Sequence, residues 1–446
     1  MTLVSIIGDF HSSVLPIFYE FSSSIKRHVI VYDTFKNDRI WAKKILEGTK
    51  SFIQKHSLNI ETYPYVIEED SMQSIEALLN TLFSLEPDYQ KLHINATDGL
   101  SSTALVLSHK LLDKGVQFLT YDRFDNTCNV IHKESMQTYK LQKSIPIEEH
   151  FLLKQTHIFG IQNLALADEL EGALVEFFEI FQGNKAHYLS KYPHAHLYIQ
   201  DTQLGFLYEL YIYNLLKRLN HDDIKLGVKV KDTYDEIEIQ NEFDILIMKN
   251  NHLHMIECKF QTSIETTGLI YKVDSLKSVL DEDSKIVILS NQSVYNPSSL
   301  MPNMHEPYNR AMTKRIYLRG SPLKNVKLFI RDIDEIFELS TPNLDLLIAN
   351  RIKPSNNAYE NENEKYMYQT IQSYISHTFG VDIDINDPHA ISLLLCFKSH
   401  YAHNKTVQNA MKNASTLKLI KLINKMHIST KTKVELEDVW QHFKKM

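Results

Sequence analysis

Three ionisable side chains gathered in a largely apolar hairpin are the first feature of this sequence that calls for chemistry. The segment NEFDILIMKNNHLHMIECKF (241–260) reads as two strands joined by an Asn-rich turn, Lys249-Asn250-Asn251-His252. Side chains alternate along a strand, so Glu257 and Lys259 project from one face, and Asp244 on the preceding strand can lie opposite them. The remaining residues are dominated by Ile, Leu, Met and Phe, so the three polar groups carry a desolvation cost that an ion or a partner must offset. Metal-assisted phosphodiester hydrolysis accounts for such a set. Two carboxylates are hard oxygen ligands suited to Mg²⁺ or Mn²⁺. A lysine ammonium beside them can orient a water and offset charge growing on the phosphoryl oxygens.

Neighbouring segments supply candidates for the rest of a site. In DTQLGFLYELYIYNLLKRLN (201–220), a helix by its apolar density, Glu209 is the only charged residue between Asp201 and Lys217. It reads as an accessory metal or water ligand, the plain alternative being a half-buried, hydrogen-bonded helix residue. In GLIYKVDSLKSVLDEDSKIVILSN (268–291), a helix followed by a buried strand, Tyr271 and Lys272 stand near the helix start. There they can meet a nucleic-acid backbone, or serve only as packing and solvated charge. An isolated E-x-K in a strand is common. Its combination with Asp244, in an apolar hairpin preceded by a helix with a lone carboxylate, is far more specific.

The elements that must position these residues follow from hydrophobic periodicity. Residues 1 to about 132 alternate strand runs (LVSIIG at 3–8, HVIVYD at 28–33, NIETYPYVI at 59–67, LHINA at 92–96, VQFLTYD at 116–122) with helix-length segments at 37–56 and 71–86. In the second of these Ile75, Leu78, Leu79, Leu82 and Phe83 form one stripe. This alternation predicts a mostly parallel, Rossmann-like sheet ending in a hairpin. Residues 141–200 read as connecting helices, with 166–181 strongly amphipathic. A second α/β pattern follows from about 201. NNAYENENEK (356–365) reads as a linker, and the remainder as helical.

Asp244, Glu257 and Lys259 resemble the PD-(D/E)xK signature of restriction-endonuclease-like enzymes, with Phe243 in the place of the proline. The order GFLYE (205–209), EFDIL (242–246), IECK (256–259) and LIYKVDSL (269–276) is similar to the CARF-fused nucleases of type III CRISPR systems. Asn95-Ala96-Thr97-Asp98-Gly99, after the fourth strand and before a helix, resembles the CARF motif N-x-T-G-G-T-K, with Asp98, Leu100 and Ser101 departing from it. A Gly-containing turn opening a helix presents backbone N–H groups to phosphates.

The resemblance implies a Rossmann-like CARF domain over 1–140, a connector over 141–200, a nuclease domain over 201–345, and a helical extension over 346–446 that it leaves without a role. It implies a cytoplasmic homodimer in antiviral defence that is allosterically activated by cyclic oligoadenylate, with cyclic tetra-adenylate favoured, and that cleaves DNA or RNA. The ligand pocket implied comprises Gly8, Asp9, Ser12, Ser13, Asn95, Thr97, Asp98, Gly99 and Ser101. In the nuclease, Asp244, Glu257 and the Cys258 carbonyl would hold the metal, Lys259 would position water, and Glu209 would complete the shell. Two other readings stay open: a nucleotide-sensing regulator with a silent hairpin that binds DNA, and a repair or restriction nuclease without a second messenger.

Composition bounds these readings. The chain has 446 residues, 43% hydrophobic and 23% charged, with a formal net charge of −7, so any surface for nucleic acid is local rather than global. One such stretch is 401–446, with nine lysines against Glu435, Glu437 and Asp438. Cys128, Cys258 and Cys396 have no paired spacing, which argues against a disulfide framework or a cysteine zinc site and fits a reducing compartment. The N-terminus lacks a signal-peptide pattern, and no run of ~18 apolar residues predicts a membrane span.

Overall fold

The structure is a computed structural model that describes residues 1–352, apart from 9–10, 35, 69–70, 98–100, 163, 192–201, 235–236, 261–265, 282, 291–304, 321–322 and 324. The chain forms two compact units. The first comprises residues 1–171, 201–291 and 307–351, and contains both sheets; the second comprises 172–200, 292–306 and 352–446. The expected linker at 356–365, Cys396 and the basic stretch 401–446 lie outside the described residues.

The first sheet has the order β3-β2-β1-β4-β5-β6-β7. Its strands are β1 (Thr2–Ile6), β2 (Arg27–Asp33), β3 (Glu61–Ile67), β4 (Leu92–Asn95), β5 (Gln117–Asp122), β6 (Thr127–Ile131) and β7 (Met136–Lys140). β1 to β5 pair in parallel; β5 and β6 form the antiparallel hairpin that the sequence pattern predicts, to which β7 adds a further antiparallel strand. Helices α1 (Leu15–Phe21) and α2 (Lys36–Lys55) cover one face, where Leu3, Ile7 and Ile30 are buried. Helices α3 (Met72–Leu85) and α4 (Ser101–Leu111) cover the other, over Val4, Ile6, Val29 and Val31. Helices on both faces explain why β1 is buried at every position rather than at alternate ones. α3 starts where Ser71 accepts a hydrogen bond from the Ser74 N–H, and its stripe of Ile75, Leu78, Leu79 and Leu82 is buried as the spacing requires.

The segment 141–200 is not only helical. After α5 (Ile147–Leu153) comes a strand, β8 (His157–Gly160), which joins the second sheet beside β9. The amphipathic pattern at 166–181 is likewise interrupted, into α6 (Leu164–Glu169), α7 (Glu171–Val175) and a π-helical turn at Glu176–Ile180. In the second unit that turn buries Phe177 and Phe178, whose rings meet edge to face at 4.8 Å, and α8 (Lys185–Lys191) brings Tyr188 against Phe177 and Phe181.

The second sheet has the order β13-β12-β11-β10-β9-β8. It contains β9 (Asp223–Tyr234), β10 (Ile237–Lys249), β11 (His252–Lys259), β12 (Ile286–Ser290) and β13 (Ile316–Gly320). β9, β10 and β11 are antiparallel, whereas β11, β12 and β13 run parallel. α9 (Leu204–Leu216) precedes β9, α10 (Thr266–Ser275) links β11 to β12, and α11 (His305–Thr313) precedes β13; α12 (Val326–Ile336) and α13 (Leu344–Ala349) follow. Asn250 and Asn251 take left-handed φ values of 50° and 61°, making the two-residue turn that suits the twist of a β10–β11 hairpin.

That turn is also where the two sheets meet. The Tyr121 hydroxyl of β5 donates to the Asn250 carbonyl at 2.8 Å, Asn251 Nδ2 donates to Asn126 Oδ1 at 3.0 Å, and the Ile145 N–H donates to Asn251 Oδ1 at 2.7 Å. Lys44 of α2 and Asp232 of β9 add a buried ion pair at 2.6 Å. No helix among the described residues is long and apolar enough to cross a membrane, and Cys128 and Cys258 are buried free thiols.

Candidate active site

Asp244 and Glu257 come together because of hairpin register. The last pairs of the β10–β11 ladder are Leu246–Met255 and Ile245–Ile256, which places Asp244 opposite Glu257 at the next step. Asp244 Oδ2 accepts the Cys258 N–H at 2.7 Å, fixing its carboxylate across the strand gap. On the other side of β10, Gly227 of β9 stands between the pairs Val228–Phe243 and Leu226–Ile245, hence beside Asp244. Gly227 has φ +57°, and a Cβ there would lie 2.5 Å from Gln162 Cγ. β9 can therefore kink beside Asp244 only with glycine at this position. Gly227→Ala is expected to destabilise the protein by about 1–3 kcal/mol, read as a lower denaturant midpoint, with cleavage lost in parallel as Asp244 is displaced.

Lys259, two residues beyond Glu257, folds back over the pair. Its ammonium lies 2.7 Å from Glu257 Oε1, 3.6 Å from Asp244 Oδ2 and 3.2 Å from the Cys258 carbonyl, to which it donates. The three oxygen groups expected to bind a metal thus already surround a cation. Glu257 is 1% exposed, and its Oε2 is buried with no hydrogen-bond partner. Lys272 of α10 reaches the same carboxylate, Nζ to Oε1, at 3.2 Å. Lys272 therefore touches the expected catalytic carboxylate directly, and it does so from the last turn of α10 rather than from near a helix start, as the sequence suggested. Its neighbour Tyr271 is 50% exposed and hydrogen-bonded by Arg310, whose guanidinium also stands 5.7 Å from the ring centre.

Burial sets the electrostatics. It pushes the Asp244 carboxyl up to about 6, with Glu257 adding repulsion. It pushes the Glu209 carboxyl up to about 8, with Asp244 the next cause. Burial opposes charge on Lys259, but Asp244 and Glu257 outweigh it and hold the ammonium above its ordinary value. The Cys258 thiol is driven well above its usual range by burial and then by Asp244, which leaves its carbonyl as the useful atom. Glu209 is carried on α9, whose Tyr208 packs against Phe260 at 5.0 Å, directly after Lys259. Tyr208, Tyr211 and Tyr213 are buried, so the aromatic richness of this helix serves packing. Glu242 points to solvent and pairs with Lys229 at 3.4 Å.

Among the described residues, no group of three or more His, Cys, Asp or Glu side chains is placed to hold a metal ion. Glu209 is near enough to feel the other carboxylates but does not complete a cluster with them. A cation here would take Asp244, Glu257 and the Cys258 carbonyl, with water and substrate oxygens completing its shell, the manner in which Mg²⁺ is often bound. The unpartnered Glu257 Oε2 and the oxygen donors gathered about Lys259 fit that requirement.

At the carboxyl edge of the first sheet, Asn95 and Thr97 are brought together. Asn95 Oδ1 accepts from the Thr97 N–H at 3.2 Å and from its hydroxyl at 2.6 Å, while Asn95 Nδ2 donates to the Val14 carbonyl at 3.2 Å. Thr97 Oγ1 in turn accepts the Tyr121 N–H at 2.9 Å. Gly8 follows β1 at the same edge, and the buried Ser13 Oγ has no hydrogen-bond partner. Asp9, Asp98 and Gly99 lie outside the described residues, as do the side chains of Ser12 and Ser101.

A Rossmann-like sheet followed by a mixed sheet with paired carboxylates and a lysine on its central hairpin defines a protein with a nuclease-type domain. Residues 202–301 match the family described as the Card1-like endonuclease domain, a span that contains Glu209, Asp244, Glu257 and Lys259. The resemblance drawn from IECK and its neighbouring motifs holds for this segment. Among solved structures, protein VC1899 from Vibrio cholerae superposes with a TM-score of 0.59 at 16% identity, over 77% of this chain and 99% of that one. Can2 from Sulfobacillus thermosulfidooxidans, in complex with cyclic tetra-adenylate, superposes with a TM-score of 0.55 at 17% identity, over 75% and 99%. At these identities the likeness is one of fold. No curated protein matches the chain by sequence.

Proposed function

We propose that this protein is a metal-dependent endonuclease of type III CRISPR antiviral defence whose first sheet binds cyclic oligoadenylate as an activator, and that it works as a homodimer in the cytoplasm. The observation that carries the reading is the row Gly227–Asp244–Glu257, with Lys259 folded over it, inside a segment matching an endonuclease family. Asp244, Glu257 and the Cys258 carbonyl would hold Mg²⁺ or Mn²⁺. When bound, such an ion supplies Lewis acidity toward the scissile phosphate and the attacking water. Lys259 orients the water and offsets charge on the phosphoryl oxygens. Glu209, close enough to feel the Asp244 and Glu257 charges, would complete the shell as an accessory metal or water ligand. Tyr271, Lys272 and Arg310 form a basic and aromatic rim suited to a polynucleotide backbone.

Cyclic tetra-adenylate is the favoured activator, because the Can2 structure of like fold holds it. A two-fold dimer presents the same Gly8, Asn95 and Thr97 edge from both copies, which suits a symmetric ring. The domains would run over 1–140, 141–200 and 201–345, with 346–446 as an extension.

The test is cleavage of single- and double-stranded DNA and RNA with Mg²⁺ or Mn²⁺, with and without cyclic tri-, tetra- and hexa-adenylate. Cleavage is expected to rise at least ~100-fold with ring and metal together, since a ligand favouring the active state by ~3 kcal/mol shifts it that far, and to vanish with a chelator. Equal cleavage without any ring would make this a stand-alone nuclease. Ring binding without cleavage of any substrate would make it a sensor with a silent hairpin.

A further inference from the structure

Asp33 and Thr103 each bury one side-chain oxygen that has no hydrogen-bond partner among the described residues. Asp33 is the last residue of β2 and is 1% exposed. Its Oδ1 accepts hydrogen bonds from both the N–H and the hydroxyl of Thr34, whereas its Oδ2 is buried with no partner. Thr103 lies in the first turn of α4, is 0% exposed, and its Oγ1 also has no partner. A buried carboxylate oxygen or hydroxyl without a hydrogen bond is costly, and such groups in folded proteins call for an explanation.

Both residues face the same layer. Val29 and Val31 of β2 enter the core on the α3–α4 side, and alternation puts Asp33 on that side too. Leu107 and Leu111 of α4 enter the same core, and Thr103 precedes them at the same four-residue spacing. The two orphaned groups therefore lie at the polar end of one apolar layer, at the carboxyl ends of the strands. Parallel register places them relative to the expected ligand edge. Ile6 pairs with Val31, so Asp33 is level with Gly8, and Ser5 pairs with Asn95, so Thr97 is level with Ile7. Asp33 and Thr97 are two strands apart, about 10 Å at ordinary strand spacing, within the span of a nucleotide unit.

We infer that Asp33 and Thr103 are a ligand-reading pair that binds a ribose 2′-hydroxyl of the cyclic nucleotide, an inference resting on the sensor role proposed above. A phosphate would be repelled by the carboxylate. A hydroxyl can donate to Asp33 Oδ2 while accepting from Thr103 Oγ1, so one group satisfies both orphans, whereas an exocyclic amine can only donate. The pair makes the sensor selective for ribose over deoxyribose rings.

Asp33→Asn keeps an oxygen for Thr34 and turns an amide N–H₂ toward the ligand's donor. Calorimetric titration of the full chain with cyclic tetra-adenylate, its all-2′-deoxy counterpart and cyclic tetra-inosinate tests the pair. The wild type is expected to prefer the ribose ring by about 10–100-fold, the range for a hydrogen bond to a charged acceptor. Asp33→Asn is expected to bind the ribose and deoxy rings within about 3-fold of each other. Thr103→Val, a second variant of similar shape, is expected to narrow the preference about 5-fold, and the melting temperature of the ligand-free variants should not fall. An unchanged ribose-to-deoxy ratio in both variants would overturn the inference while leaving the sensor role intact. A loss that follows the inosine ring instead of the deoxy ring would overturn it in favour of base reading. Failure of the wild type to bind any ring would remove the sensor role itself, and this pair with it.

Discussion

Replacing Glu257 with Gln is expected to lower phosphodiester cleavage by at least ~10³-fold while leaving cyclic-nucleotide binding at the wild-type level. The substitution preserves shape in a 1%-exposed position, so the loss is chemical rather than steric. Glu257 Oε1 takes the ammonium groups of Lys259 and Lys272, and Oε2 remains bare for a cation. An amide offers the lysines one acceptor, cannot neutralise them, and is a poor ligand for a hard divalent ion. Lys259→Met should cost ~10²–10³-fold, the usual effect of removing one group that stabilises developing charge. It also strips Asp244 and Glu257 of the cation closest to both. Single-turnover cleavage with saturating ring and Mn²⁺ measures these losses, and calorimetry on the same samples measures ring binding. Cleavage retained in both variants would refute the site.

Two buried imidazoles should weaken the fold as pH falls below 6.5. His28 is fully enclosed between β1 and α1, with Nε2 on Ser5 Oγ at 2.9 Å and its ring stacked 4.8 Å from Phe18. Burial pushes it down to about 3. His150 of α5 is pushed down to about 4 by burial, although Asp281, 3.4 Å away, favours its charged form. In the unfolded chain both titrate near the ordinary histidine value. The unfolded state therefore takes up protons below pH 6.5 that the folded state refuses until pH 3–4. Their contribution is complete above about pH 6.5 and is lost progressively as pH falls toward those lower values. At ~1.4 kcal/mol per pH unit for each group, the two imidazoles work against the fold by about 4 kcal/mol between pH 7 and pH 5, while Asp244 and Glu209, whose carboxyls burial pushes up, take up protons in the folded state and work in the opposite direction. Urea unfolding of the wild type and of a His28→Gln, His150→Gln variant at the two pH values measures this: the wild type should lose about 4 kcal/mol relative to the variant, and an equal pH response in both would show that the imidazoles accept a proton without unfolding. His254, which burial also drives well below its usual range, acts in the same direction.

The sequence made the hairpin legible because its signals are local. Asn250-Asn251 at a two-residue turn fixes register, register places Asp244 opposite Glu257, and alternation puts Lys259 on the same face. The stripe on α3 and the apolar runs of the first sheet were legible for the same reason. Features made by distant segments were not. β8 is four residues long, too short to show alternation, and becomes a strand only because β9 pairs with it. The space beside Gly227 is closed by Gln162 from 65 positions away, and the reach of Lys272 to Glu257 depends on how α10 docks. Asp33 ends an ordinary buried strand, and only its unpartnered Oδ2 sets it apart.

β8 has a consequence for how the molecule can be cut. The segment matching the endonuclease family begins at residue 202, yet the strand that shields one side of β9 is drawn from His157–Gly160. A fragment expressed from that point would leave the Lys229–Lys231 stretch of β9 without its partner strand, and unpaired amides and carbonyls there invite cross-chain pairing and aggregation. Any recombination that moved this catalytic piece between genes would have to carry the upstream strand along, so the heritable module is larger than the stretch recognisable by similarity.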